Sequence, residues 1–137
     1  MNTDFLDAHQ RHWDDAEQLF SDARWANADH LFGMSAECGL KRLMIAFGMP
    51  HTAQHPSNRG DRVHIDSLWE RYEAYRSGQY LGANYGLPDE FEFSDWRAEQ
   101  RYSNQSCFDE GRASEHRSGA LAVKNLINNA LLDGVIE

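Results

Sequence analysis

Between residues 4 and 23 apolar side chains return at helical spacing. Phe5, Trp13, Ala16, Leu19, Phe20 and Ala23 share one face, while Asp7, Asp14, Asp15, Glu17 and Asp22 lie mostly elsewhere around the wheel. A helix that buries one side against a core shows this stripe, so the spacing predicts an amphipathic helix over 4–23. Arg24-Trp25-Ala26 breaks it, and Asn27, whose side-chain oxygen can accept a backbone N–H, is the expected N-cap of the next helix. That second helix is predicted over 28–47, with Leu31, Phe32, Ser35, Gly39, Leu40, Leu43, Met44 and Phe47 along a broad stripe. Gly33 and Gly39 each cost about 1 kcal/mol against alanine in a helix interior. Close approach by a neighbouring helix is the packing reason to keep them. Gly48 before Met49-Pro50 is the stop.

Residues 51–60 (HTAQHPSNRG) have no periodicity and read as an exposed loop. A third helix is predicted over 61–77 on Val63, Ile65, Leu68, Trp69, Tyr72 and Tyr75. Residues 78–93 then form an irregular stretch whose Tyr80, Tyr85, Phe91 and Phe93 are expected to pack on the bundle. Ser94 is read as the cap of a short helix over 95–103, and 104–108 as a break. The last helix is predicted over 109–132, with Ala113, His116, Ala120, Val123, Ile127, Ala130 and Leu131 on one face and Asp133-Gly134 at its end. No strand pattern and no repeat is evident. The expected fold is all-α: an up-and-down bundle of four main helices with one additional short helix, in a single domain over 1–137.

Composition places the chain among ordinary globular proteins, at 41% hydrophobic and 26% charged. No apolar run reaches the length of a membrane span. The sequence opens without a basic and then apolar leader, and Cys38 and Cys107 lie far apart, so the expectation is a cytoplasmic protein with reduced thiols. The net charge of −9 argues against an extended basic surface for nucleic acid. Its distribution is uneven. Only Arg11 and Arg24 offset the acids of the first 37 residues, whereas Arg97, Arg101, Arg112, Arg117 and Lys124 cluster near the C-terminal end.

Several constellations of side chains are candidates for chemistry. His9 and His12 sit three apart and could hold a metal with Asp29 or His30. His51, His55 and His64 flank Asp61. Neither spacing matches a common metal site, so no metal and no cofactor is expected. Cys38 reads as a small buried hydrophobe. The glycines at 78, 82 and 86 follow no strand, which excludes a dinucleotide loop. What remains is Arg112 and His116, four apart at the start of the last helix and therefore on one face. A helix N-terminus attracts phosphate, and imidazole can move a proton near neutral pH. Arg112 and His116 are the candidate catalytic pair, with Arg97, Arg101 and Arg117 as candidate substrate-binding residues. The plainer alternative pairs the arginines with Asp109 and Glu115 and packs His116 into the core.

Residues 28–44 (ADHLFGMSAECGLKRLM) resemble the second helix of HEPN-domain proteins, through an A-E-x-x-L-K pattern at Ala36, Glu37, Leu40 and Lys41. The turn Ala23-Arg24-Trp25-Ala26, the HIDSLWERY segment and the closing NNALLDG are looser likenesses. The resemblance implies a helical bundle that dimerises. It further implies either a metal-independent ribonuclease, of the kind found among toxins and defence proteins, or an inactive partner of a nucleotidyltransferase. Active members are similar in having an arginine, then four to six intervening residues, then a histidine near the start of the last helix. Arg112 and His116 match with a shorter spacing of three intervening residues. Two functions are therefore expected. One is a homodimeric RNA-binding protein or endoribonuclease working through Arg112 and His116. The other is a non-catalytic binding module for a nucleotidyltransferase, an antitoxin or another protein, with an apolar patch drawn from Trp25, Trp69 and Trp96.

Overall fold

In the computed structural model, which describes residues 1–88 and 92–137, the Asp4 carboxylate accepts the backbone N–H of Asp7 at 3.0 Å and starts α1 (Phe5–Ser21). α1 buries His9, Trp13 and Ala16. The turn after it is shorter than the sequence predicts. Ala23 takes a left-handed conformation (φ 57°), uncommon for a residue with a Cβ, and this single reversal lets α2 (Trp25–Ala46) begin at once. Asn27 thus lies inside the first turn, and Arg24 occupies the cap position without a side-chain cap bond.

α2 is the central element. It packs extensively on both α1 and α4 (Glu110–Leu132), so it is buried around much of its circumference. Its glycines show why. A Cβ on Gly39 would lie 2.5 Å from Val123 Cγ1 on α4 and 2.8 Å from His9 Nδ1 on α1, the close helix approach expected of a small residue. At Gly33 the neighbour is a side chain instead, with the Trp96 ring 2.2 Å from where a Cβ would stand. Gly48, at φ +100°, ends the helix.

The predicted third helix is only half helical. Tight 3-10 turns at Arg59–Asp61 and Ile65–Ser67 precede α3 (Trp69–Ser77). The cause is Asp61, fully buried and held by Arg71 Nε at 2.8 Å, Arg71 Nη2 at 2.6 Å and the Tyr75 hydroxyl at 2.7 Å. Those contacts fold the chain back on α3. The short helix capped by Ser94 is also not formed. The backbone turns through 92–95, and helical structure appears only as a 3-10 segment, Ala98–Tyr102, capped at Arg97. Burial of Trp96 over Gly33, with its Nε1 donating to the Asp29 carbonyl at 3.2 Å, decides that path. Trp96 therefore belongs to the core and not to an apolar surface patch.

In the irregular stretch Tyr85 and Phe93 pack into the core, whereas Tyr80 is 95% exposed; Phe91 lies outside the described residues. α4 begins where the Asp109 carboxylate accepts the Arg112 N–H at 2.9 Å, and it buries Ala113, His116, Gly119, Ala120, Val123, Ile127 and Ala130. Leu131, on the expected stripe, is exposed instead. The architecture is an all-α bundle of four α-helices, with no strand among the described residues. Among the described residues no helix is long and apolar enough to cross a membrane.

Candidate functional site

Arg112 and His116 do meet, as their four-residue spacing requires, and they meet at two carboxylates. The ring of His116 is fully buried. Its Nδ1 lies 2.8 Å from Asp29 Oδ2, and its Nε2 lies 2.8 Å from Asp95 Oδ1. Arg112 closes the circuit, with Nη1 on Asp95 Oδ2 at 3.0 Å and Nη2 donating to the Asp95 carbonyl at 2.8 Å and to Gln100 Oε1 at 3.2 Å. Its Nε stands 3.4 Å from Asp29 Oδ2, a charge contact without hydrogen-bond geometry. The amide of Gln100 donates to the other oxygen of Asp29, and Phe93 stacks on the imidazole at 5.3 Å. Burial alone would drive the His116 pKa down; the bonds and charges of Asp29 and Asp95 outweigh it and hold the pKa above its ordinary value. Burial likewise pushes Asp95 up, and His116 and Arg112 outweigh that to keep it below the usual carboxylate range. The pair thus joins α4 to α2 and to the 92–97 turn.

The other arginines separate. Arg117 bonds Glu17 on α1 through two nitrogens and lies over Trp13 and Phe20. Arg97 is exposed at the start of the 3-10 segment. Arg101 is exposed too, with Nη1 on the Ala98 carbonyl at 2.9 Å and its guanidinium over the Tyr102 ring. It borders a recess of about 470 Å³ whose walls include Arg24, Trp25, Asn27, Asn104 and Gln105. This recess lies at the N-terminal end of α2, where the N–H groups of residues 25–27 precede the first helical bond, from Ala28 N–H to the Arg24 carbonyl.

A second cluster escaped the spacing arguments. Glu37 and Lys41, on the matched A-E-x-x-L-K stretch, form an ion pair at 3.0 Å with only 7% of each side chain exposed. The second oxygen of Glu37 meets His64 Nδ1 at 2.9 Å, and that imidazole is half exposed. Next to it the Trp96 ring lies 6.4 Å from the His64 ring and stacks with His30 at 5.5 Å. Burial, and then the charge of Arg101, lowers the His30 pKa. Burial and then Arg11 lower that of His12, which also senses Glu37. The signal was present in the sequence: Asp29, Glu37 and Lys41 are charges set into the most apolar helix. Periodicity could not name their partners, because His64 and His116 arrive from elsewhere in the chain.

His9 and Cys38 are accounted for by packing, whereas His51 and His55 lie exposed. His9 is buried, with Nδ1 on the Ser35 carbonyl at 2.8 Å, and burial lowers its pKa. Burial pushes the Cys38 thiol up to about 12, which leaves it protonated and unreactive. Asp29 and Asp61 are engaged as described, and no group of three or more metal-ligating side chains converges among the described residues. A scan against protein-family models and searches of curated proteins and of solved structures return no match for this chain.

Proposed function

We propose that the chain is a HEPN-like bundle that binds RNA in the recess at the start of α2, with Arg112 and His116 as the scaffold beneath it. The observation that supports this is the company kept in that recess. Two guanidiniums, Arg24 and Arg101, stand beside amide side chains and the open N–H groups of a long helix. Phosphate is attracted by the first and the last, and bases find hydrogen-bond partners in Asn27, Asn104 and Gln105 and a flat face in Trp25. His116 suits the scaffold role because both ring nitrogens are already bonded and no face of the ring meets solvent.

Fluorescence anisotropy with a labelled single-stranded RNA tests the reading. An R24A/R101A variant with an unchanged melting temperature is expected to bind about tenfold more weakly or worse, with a shallower salt dependence by about two phosphate contacts. Equal affinity, or no binding by the wild type, overturns it. The second reading, a partner-binding subunit or homodimer, draws support from the adjacent exposed Tyr80 and Leu81 and from Leu132 at the end of α4. It predicts a mass by light scattering above that of one chain, alone or with a co-purifying protein.

A further inference from the structure

We infer that the recess at the start of α2 holds the 5′-phosphorylated end of an RNA strand, through its terminal nucleotide, and not the interior of the strand. This rests on the RNA-binding reading above and names the part of the RNA that is bound.

The walls of the recess come from residues 23–27 on one side and 100–108 on the other, and among the described residues no carboxylate lines them. The chain carries 22 acidic residues against 13 basic ones, so a recess with two guanidiniums and no acid runs against its average. Elsewhere guanidiniums are neutralised within the protein. Arg71 meets Asp61, Arg76 meets Glu73, and Arg117 meets Glu17. Arg24 and Arg101 meet no carboxylate among the described residues. Arg101 engages one nitrogen with the Ala98 carbonyl, and the rest of its planar fork, like that of Arg24, suits the oxygens of a phosphate.

Two uncompensated positive charges match the end of a strand better than its middle. A phosphodiester inside RNA carries one negative charge, whereas a terminal phosphomonoester carries about −1.5 to −2 at pH 7. Size agrees. A volume of about 470 Å³ lies within the range of pockets that enclose one small molecule, roughly 300–1,000 Å³, and a single nucleotide is a ligand of that class. Reach agrees as well. The interior of a strand needs a basic track on both sides of the recess, and a net charge of −9 works against one. An end needs only the recess itself. The neutral side chains of Ser103, Asn104 and Gln105 on the second wall are left for ribose hydroxyls and base edges.

Anisotropy with one single-stranded RNA, labelled at its 3′ end and carrying either a 5′-phosphate or a 5′-hydroxyl, tests this. The phosphorylated form is expected to bind the wild type about tenfold more tightly or better, the scale of a charge-assisted hydrogen bond. Its slope of log affinity against log salt is expected to be steeper by about one. In R24A/R101A, at unchanged melting temperature, the two forms are expected to bind alike. A nucleoside 5′-monophosphate is expected to displace the phosphorylated RNA at concentrations where the nucleoside does not. Equal affinity of the wild type for both RNA forms overturns this inference alone, and binding of neither overturns the RNA-binding reading as well. A preference for the 5′-phosphate that survives in R24A/R101A overturns the assignment to the recess. A nucleoside monophosphate that binds as tightly as the phosphorylated RNA overturns the assignment to an RNA end and gives the site to free nucleotides.

Discussion

His116 sits between two carboxylates, and the sign of its contribution to stability follows from its raised pKa. Burial opposes the charged ring, but Asp29 and Asp95 prevail. The stability this histidine contributes is therefore fully present below its ordinary pKa of 6.5 and is lost as pH rises through the higher folded value. Asp95 works from the other side. Its pKa is lowered from 3.8, so its contribution is present above that value and is lost as pH falls through the folded one. His9, His12 and His30 have lowered pKa values, so protonation at falling pH favours the unfolded chain, which tilts the whole-protein profile the opposite way from His116. The difference between wild type and His116→Gln isolates the pair. That difference in melting temperature is expected to be largest in mild acid, between the two ordinary values, and to shrink as pH rises above 6.5. A difference that grows with pH would contradict the assignment. Spacing had already placed Arg112 and His116 on one face, but neither carboxylate was legible, since Asp29 lies 87 residues from His116.

At the scale of elements, the glycines of α2 and α4 separate propensity from packing. Alanine is better than glycine in a helix by about 1 kcal/mol. At Gly33 that gain meets the Trp96 ring at 2.2 Å, and at Gly119 it meets Phe93 Cε2 at 2.6 Å. Gly33→Ala is accordingly expected to be net destabilising, by about 1–3 kcal/mol in chemical denaturation, because Trp96 must leave its slot. Gly111, by contrast, has only Asp109 Oδ1 nearby, at 3.6 Å, so Gly111→Ala is expected to raise stability by a few tenths to about 1 kcal/mol. Equal effects at the two sites would mean that the Trp96 slot is not rigid. The long helices α1, α2 and α4 were readable from period and stops. The 61–77 and 94–103 segments were not, because the buried Asp61 and Trp96 bend the backbone for tertiary reasons that helical periodicity cannot encode.

At the scale of the molecule, a chain of net charge −9 can attract a polyanion only where its cations gather. Position should then matter more than total charge. Arg24→Glu and Arg59→Glu change the net charge equally, yet only Arg24 borders the recess, while Arg59 lies exposed on the turn before α3. Anisotropy at fixed salt is expected to show a loss of about tenfold or more for Arg24→Glu and less than about twofold for Arg59→Glu. Similar losses in both would reduce the interaction to bulk electrostatics.

The sequence alone determined the three long helices α1, α2 and α4, where α2 and α4 stop, and most of the faces they turn inward, because these follow from contacts between residues a few positions apart. It also sets Asp29, Glu37 and Lys41 in the most apolar helix, without saying what meets them. Tertiary structure alone decided what those charges do. Asp29 and Asp95 enclose His116, whereas Glu37 holds His64 at the surface, and so one imidazole is sealed and the other open. The physical reason is range. A hydrophobic period reports how a residue faces its own helix, but a buried charge is settled by whichever distant partner neutralises it.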